Sequence, residues 1–198
     1  MDDRASAALT GGFLAGGRRL SGVYVLELAG RDDPFAAREA ASAASAVEVV
    51  AAGLATARGI TDRVRDLAFT HRASALAGTC DPDIESARAL LSTATVDRTG
   101  SVAVRAEDVR TTTGVDTQRA ERVLGQALVD RGFTVDLDDP DHELRALFAG
   151  PPGAASVDDE AAADNDAERD DGDGADAGLC ALGWLDAESR REFTARKP

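Results

Sequence analysis

The stretch Phe133–Gly150, FTVDLDDPDHELRALFAG, is where the fold is decided. Its first half alternates: Phe133, Val135 and Leu137 share one parity, while Thr134, Asp136 and Asp138 take the other. Its second half alternates again, with Leu144, Ala146 and Phe148 set against Glu143, Arg145 and Leu147, the last of which breaks the polar face. A period of two marks a strand with one buried face. Between the halves lies DDPDH, where Pro140 fixes one backbone dihedral and the aspartates bond neighbouring amides. The spacing therefore predicts strand, acidic turn, strand, with Phe133, Val135 and Leu137 on a single inward face. The unit holds no nucleophile, metal cluster or phosphate loop.

Outward from that unit, the chain has 198 residues, room for one domain or two small ones. Apolar residues make up 43% and aromatics only 4%, so the core must be built from Ala, Val and Leu. Net charge is −14, Lys197 is the only lysine, and the acids are mostly Asp. Such an Ala-, Asp- and Arg-rich composition points to a high-salt cytoplasm, where a carboxylate surface stays hydrated and its self-repulsion is screened. Much of the charge is local: residues 151–178 carry ten acids against Arg169, with no apolar periodicity. They are expected to be a disordered acidic insertion. With that segment set aside, the remaining charge is ordinary and does not exclude a polyanion partner.

Cys80 and Cys180 lie far apart with no CxxC spacing, so neither a disulfide framework nor a zinc site is indicated, and both are expected as small buried hydrophobes. Arg18-Arg19 raises the question of an export signal. The apolar run after it is short and is broken by Glu27 and Arg31, so it fails as a signal core. No stretch approaches a membrane span, and the expected location is cytoplasmic. Residues 1–20 are expected to be a flexible extension.

The elements follow in mixed order. VYVLELAG (residues 23–30) is a strand, and RDDPF opens a helix with Asp33 as cap and Pro34 at its first position. VEVVAAGLATARG holds one or two strands and VRDLAFTHRA another. CDPDIESARALLSTA repeats the capping pattern, with Asp81 as cap and Ile84, Ala87 and Leu91 as the apolar stripe. SVAVRA turns Val102, Val104 and Ala106 inward, and EDVRTTTGVD is a polar loop. TQRAERVLGQALVDRG is the clearest helix: Ala120, Val123, Leu124, Ala127 and Leu128 fall at helical spacing and Gly132 ends it. In LCALGWL, Cys180, Leu182 and Trp184 share a parity. The acidic insertion therefore interrupts a hairpin, which is tolerated because loop-closure entropy grows only logarithmically.

Catalytic apparatus is not legible. His71 and His142 are the two histidines, and neither sits near a Ser or Cys in a nucleophile setting; His142 reads as a surface residue of the acidic turn. The glycines of GGFLAGGRRLSG precede a strand instead of linking strand to helix, so the dinucleotide fingerprint is missing. GPPG (residues 150–153) lacks the acid or amide and the aromatic of the amino-methyltransferase motif it half matches. No catalytic residue and no metal ligand is assigned.

The sequence of strand, polar loop, Gly-terminated helix, VDLDDPDHELRALF and a final LGWL strand resembles the THUMP domain, an RNA-binding module of tRNA-modifying enzymes. The matching residues are Arg105, Gly125, Val135, Leu137, Pro140, Asp141, Leu144 and Gly183. VYVLELAGRDDPFAAREAASAA with LAFTHRASAL and CDPDIESARALL is similar to the ferredoxin-like region preceding THUMP in archaeal tRNA (guanine-N2) dimethyltransferases. The likeness covers roughly residues 22–196. It implies an α+β fold: a ferredoxin-like N-terminal unit over residues 21–78, a THUMP-type α/β domain over 79–188 and the start of a linker over 189–198. It also implies tRNA as partner. In that family a Rossmann-like domain follows and uses S-adenosylmethionine. This sequence ends at Lys197-Pro198, so the expectation is the front half of such an enzyme, with no cofactor of its own. The alternative is a free-standing THUMP adaptor that presents tRNA to a separate methyltransferase domain.

Within this frame the expected RNA contacts are Arg105, Arg110, Arg119, Arg122 and Arg145, with the first four gathered around one strand-to-helix junction. Backbone amides at that helix start could join them at a phosphate. The competing expectation is that these arginines pair with Asp108, Asp116 and Glu121 as surface salt bridges.

Overall fold

The computed structural model describes residues 19–154 and 178–189. Residues 1–18 of the expected extension, 155–177 of the expected insertion and 190–198 of the expected linker lie outside the described residues.

The architecture is α+β. Strands β1 (Arg19–Leu28), β2 (Glu48–Ala51), β3 (Leu54–Thr61), β4 (Thr70–Cys80), β5 (Ser101–Asp108), β6 (Thr134–Val135), β7 (His142–Ala149) and β8 (Leu179–Glu188) form one sheet in the order β2-β3-β1-β4-β8-β7-β5-β6. Among the described residues three α-helices accompany it: α1 (Asp33–Ala40), α2 (Ile84–Thr93) and α3 (Thr117–Val129). The expected domain boundary at residue 78 falls inside β4, which pairs antiparallel with β1 on one side and β8 on the other. The β7–β8 hairpin forms as expected, with Leu144 opposite Trp184 and Ala149 opposite Leu179.

The first half of the diagnostic stretch departs from expectation. β6 is only two residues long, and it pairs in parallel with β5 at the outer edge of the sheet. β7 pairs in parallel with the other side of β5, so the two halves flank β5 and do not pair with each other. Phe133 is buried as predicted and stacks on Trp184 with 6.0 Å between ring centroids, but Val135 and Leu137 are exposed. β7, being interior, is buried on both faces: Leu144, Ala146 and Phe148 meet one core and Leu147 another. His142 is the first residue of β7 rather than a turn residue; its Nε2 faces the Thr99 carbonyl at 3.2 Å and its ring meets Trp184 edge-on.

Among the described residues three apolar clusters hold the sheet. Helices α2 and α3 pack Ile84, Ala87, Leu91, Ala120, Leu124 and Leu128 against β5, β7 and β8. Helix α1 lays Ala36 and Ala40 on Tyr24, Leu26 and Ala55 of β1 and β3, where small side chains permit close approach. The reverse faces of the two halves meet in a third cluster of Val25, Leu54, Val109, Leu147 and Ala181. Each fully buried Leu or Phe contributes about 1.5–3 kcal/mol relative to exposure.

The caps differ by one or two residues from those expected. Asp32, not Asp33, caps α1 by accepting the Phe35 N–H at 2.9 Å. Asp83, not Asp81, caps α2 by accepting the Glu85 and Ser86 N–H groups. In RDDPF both aspartates precede the proline and in CDPD one lies on each side of it, and the sequence alone does not rank the members of either pair. Asp33 is thereby released for tertiary work. Its buried carboxylate accepts the Gly53 N–H at 3.1 Å and both terminal nitrogens of Arg110.

Candidate nucleic-acid interface

Because β6 stops after two residues, the edge of β5 is finished by side chains. Asp136 N–H still reaches the Val102 carbonyl at 3.2 Å, which carries the pairing one step further. Beyond it, Glu121 of α3 accepts the Ala106 N–H at 3.1 Å. Arg105 donates across the gap to the Leu137 carbonyl at 3.0 Å. What remains open between α3, the β5 edge and the segment 135–137 is a groove of about 420 Å³. Val102, Val104, Val129, Val135 and Leu137 give it apolar walls, and Arg105, Arg122, Glu121 and Gln126 its polar groups.

Local chemistry positions each wall. Asp136 accepts the Asp138 and Asp139 N–H groups at 3.0 and 3.1 Å, an Asx turn that swings the chain away from β5 after Leu137. Asp141 fastens the far end of the turn by accepting the Ser101 N–H at 2.8 Å and its hydroxyl at 2.9 Å. Those hydrogen bonds hold the Asp141 carboxyl below its ordinary range, the backbone one leading. On the helix side Arg122, Gly125, Gln126 and Val129 follow at helical spacing along one face of α3. A side chain at Gly125 would meet nothing within 4 Å. The glycine leaves the groove open without any backbone requirement for it.

The structure divides the five expected arginines. Arg105 and Arg122 line the groove, and Arg119 stands exposed one turn before Arg122 on α3. Among the described residues, none of these three has an ion pair. Arg110 lies elsewhere: its backbone is in the left-handed region at φ 56° and its guanidinium clamps Asp33 of α1, 77 residues away in sequence. Arg145 is 5% exposed and faces the third cluster, where it donates to Glu27 at 3.0 and 2.9 Å and to Glu107 at 2.6 Å.

The competing salt bridges at the junction do not form. Asp108 spends its carboxylate on the Thr112, Thr113 and Gly114 N–H groups and the Thr113 hydroxyl. Asp116 caps α3 through the Arg119 N–H at 2.9 Å, and Glu121 is committed to Ala106. All three acids thus satisfy backbone amides and leave the guanidinium groups of Arg105, Arg119 and Arg122 without carboxylate partners among the described residues. Sequence reasoning missed the apolar half of the site. Alternation assigned Val135 and Leu137 to a core, whereas the two-residue β6 leaves them as groove walls. The aspartates at 136, 138 and 139, each a turn former, were the available signal that the strand would be short.

Apolar walls with guanidinium groups beside them suit an unstacked base whose phosphate lies toward the cations. Asp136, Asp138 and Asp139 on the turn side oppose that charge and narrow the favourable approach to the α3 side.

No family model matches the sequence, and no curated protein matches it. Solved structures do. TrmN from Thermus thermophilus superposes with a TM-score of 0.50 at 16% identity, over 84% of this chain and 46% of that one. PH1313 from Pyrococcus horikoshii gives 0.48 at 10% over 85% and 55%. A 4-thiouridine synthetase solved with RNA and bound ATP gives 0.44 at 13% over 84% and 42%. The chain spans about half the length of these structures. The fold is α+β of THUMP type.

Proposed function

We propose that this chain is the tRNA-binding portion of an S-adenosylmethionine-dependent tRNA guanine-N2 methyltransferase, and that it docks RNA in the groove between α3 and the β5 edge. The observation that carries the reading is the pairing of apolar walls with Arg105 and Arg122 on a fold of THUMP type. Arg119 extends the cationic face one turn toward the start of α3. Arg110 and Arg145 serve the scaffold that holds the groove.

The division of labour follows from the chemistry. Phosphate contacts supply affinity and salt dependence, while stacking of an unpaired base supplies shape selectivity. Arg105 is already oriented by the Leu137 carbonyl, so it loses little freedom on engaging a phosphate. Arg122 and Arg119 approach from the helix.

We assign S-adenosylmethionine no site among the described residues. Each strand-to-helix connection among them ends on an aspartate cap (Asp32, Asp83 or Asp116) whose carboxylate takes one or two of the helix-start N–H groups. The methyl donor is therefore proposed for a further domain, on the same polypeptide or a separate one. Two measurements test the reading: affinity for unmodified tRNA, and methyl transfer by a methyltransferase domain with and without this chain. Binding without any enhancement of transfer would favour an adaptor role in another modification. Lack of binding would remove the proposal.

A further inference from the structure

Cys80, the last residue of β4, stands directly opposite Cys180, the second residue of β8, in the antiparallel register. The two strands form the seam that joins the halves of the sheet: β4 pairs on its other side with β1, and β8 with β7. Both side chains lie on the face covered by α2 and α3. Cys180 is fully buried in that cluster and Cys80 packs against it, partly open to solvent. Directly opposed residues of an antiparallel pair bring their Cβ atoms to about 4.5–5.5 Å, next to the range a disulfide spans. Each thiol leads the shift in the other's protonation, with Cys80 lowered and Cys180 raised. The cysteines are 100 positions apart in sequence, and the β4–β8 register is what brings them together.

We propose that Cys80 and Cys180 form a redox-sensitive site that a peroxide converts to a cross-strand disulfide, locking the seam between the two halves of the sheet. The partners are unequal. Cys80 is the accessible one, and the hydrogen bond from Cys180 lowers its pKa against burial and the nearby Asp83 and Asp81 carboxylates. Cys180 is held as the thiol, its pKa raised by the hydrogen bond to Cys80 and by burial. Cys80 thiolate therefore attacks peroxide, forming an S–O bond as the O–O bond breaks, and the departing hydroxide leaves as water after taking a proton. The Cys180 sulfur then attacks the Cys80 sulfenic acid. The S–S bond forms, the S–O bond breaks, and the Cys180 proton leaves with the hydroxyl as a second water. In sum, two thiols are oxidised and one peroxide is reduced.

The test uses the full chain with stoichiometric hydrogen peroxide. Non-reducing peptide mass spectrometry should find the Cys80–Cys180 link within a single chain, with both thiols lost to alkylation after denaturation. The thermal midpoint should rise by roughly 10 °C, as closing a loop of about 100 residues implies, and dithiothreitol should reverse the rise. In Cys180→Ala, the Cys80 sulfenic acid should persist and be trapped by dimedone. Thiols that remain fully alkylatable in the wild-type chain, or oxidation of Cys80 that yields only chain-to-chain links, would overturn the proposal.

Discussion

Arg145 of β7 donates to both carboxylate oxygens of Glu27 of β1, at 3.0 and 2.9 Å, across the interior between the halves of the sheet. The residues are 118 apart in sequence, and both are almost fully buried. Arg72 reaches the same Glu27 at 3.3 Å, and Glu107 and Glu143 complete the surroundings of Arg145. A buried charge left without its partner is costly, about 3–5 kcal/mol, whereas removing both charges together is far milder. Arg145→Met leaves Glu27 with Arg72 alone and should therefore destabilise the chain by up to that amount in urea unfolding. The double change Glu27→Leu with Arg145→Met should recover part of the loss. Arg105→Met, at the groove, should change stability by less than about 1 kcal/mol, since surface contacts contribute little.

The single tyrosine of the chain gives an optical report on the N-terminal half. Tyr24 is buried beside Asp186, and burial followed by that carboxylate pushes its pKa up to about 12. The unfolded phenol ionises near 10, so the folded state prefers the protonated form. Tyr24 stabilisation is fully present below about pH 10 and is lost as pH rises toward 12. Phenolate absorbance in the folded chain should titrate near 12, and Asp186→Asn should move the midpoint down.

Asp83 tests the cap assignment in the opposite pH direction. Its hydrogen bonds from Ser86, the side-chain one leading, hold its carboxyl below the ordinary value. Its contribution is present above the unfolded value of about 3.9 and disappears as pH falls through the lower folded value. At pH 7, Asp83→Ala should cost about 1 kcal/mol and Asp81→Ala much less. The difference between the two variants should shrink below pH 4, measured by thermal melts.

Gly125 separates stability from binding. It sits inside α3 with open space where a side chain would project, and it lines the groove. Gly125→Ala should stabilise α3 by up to about 1 kcal/mol through helix propensity. Gly125→Leu should leave the fold intact but fill the groove and weaken RNA binding at least tenfold. Equal RNA affinity for wild type and Gly125→Leu would place binding on another surface.

These residues also show what the sequence could reveal. The inward faces of α2, α3, β7 and β8 were legible because Ile84, Ala87, Leu91, Leu124, Leu144, Phe148, Leu182 and Trp184 each repeat at the period of their element. The groove was half legible. Arg105 and Arg122 could be named, but the walls at Val135 and Leu137 depend on β6 ending early, which the turn-forming aspartates decide and hydrophobic alternation does not. Arg110 and Arg145 read as surface cations because nothing local distinguishes an arginine that finds a carboxylate 77 or 118 residues away. The Cys80–Cys180 pair was hidden for the same reason: strand register is a property of the assembled sheet.

A salt titration of tRNA affinity tests whether the α3–β5 groove docks tRNA through Arg105 and Arg122, as proposed. For wild type, log Kd should rise linearly with log salt. Arg105→Gln and Arg122→Gln should each weaken binding and lower that slope by about one phosphate contact, roughly 0.7–0.9. Arg38→Gln and Arg88→Gln, on α1 and α2, should leave both affinity and slope unchanged. Equal slopes for all four variants, or no measurable binding by the wild-type chain, would rule out docking in this groove.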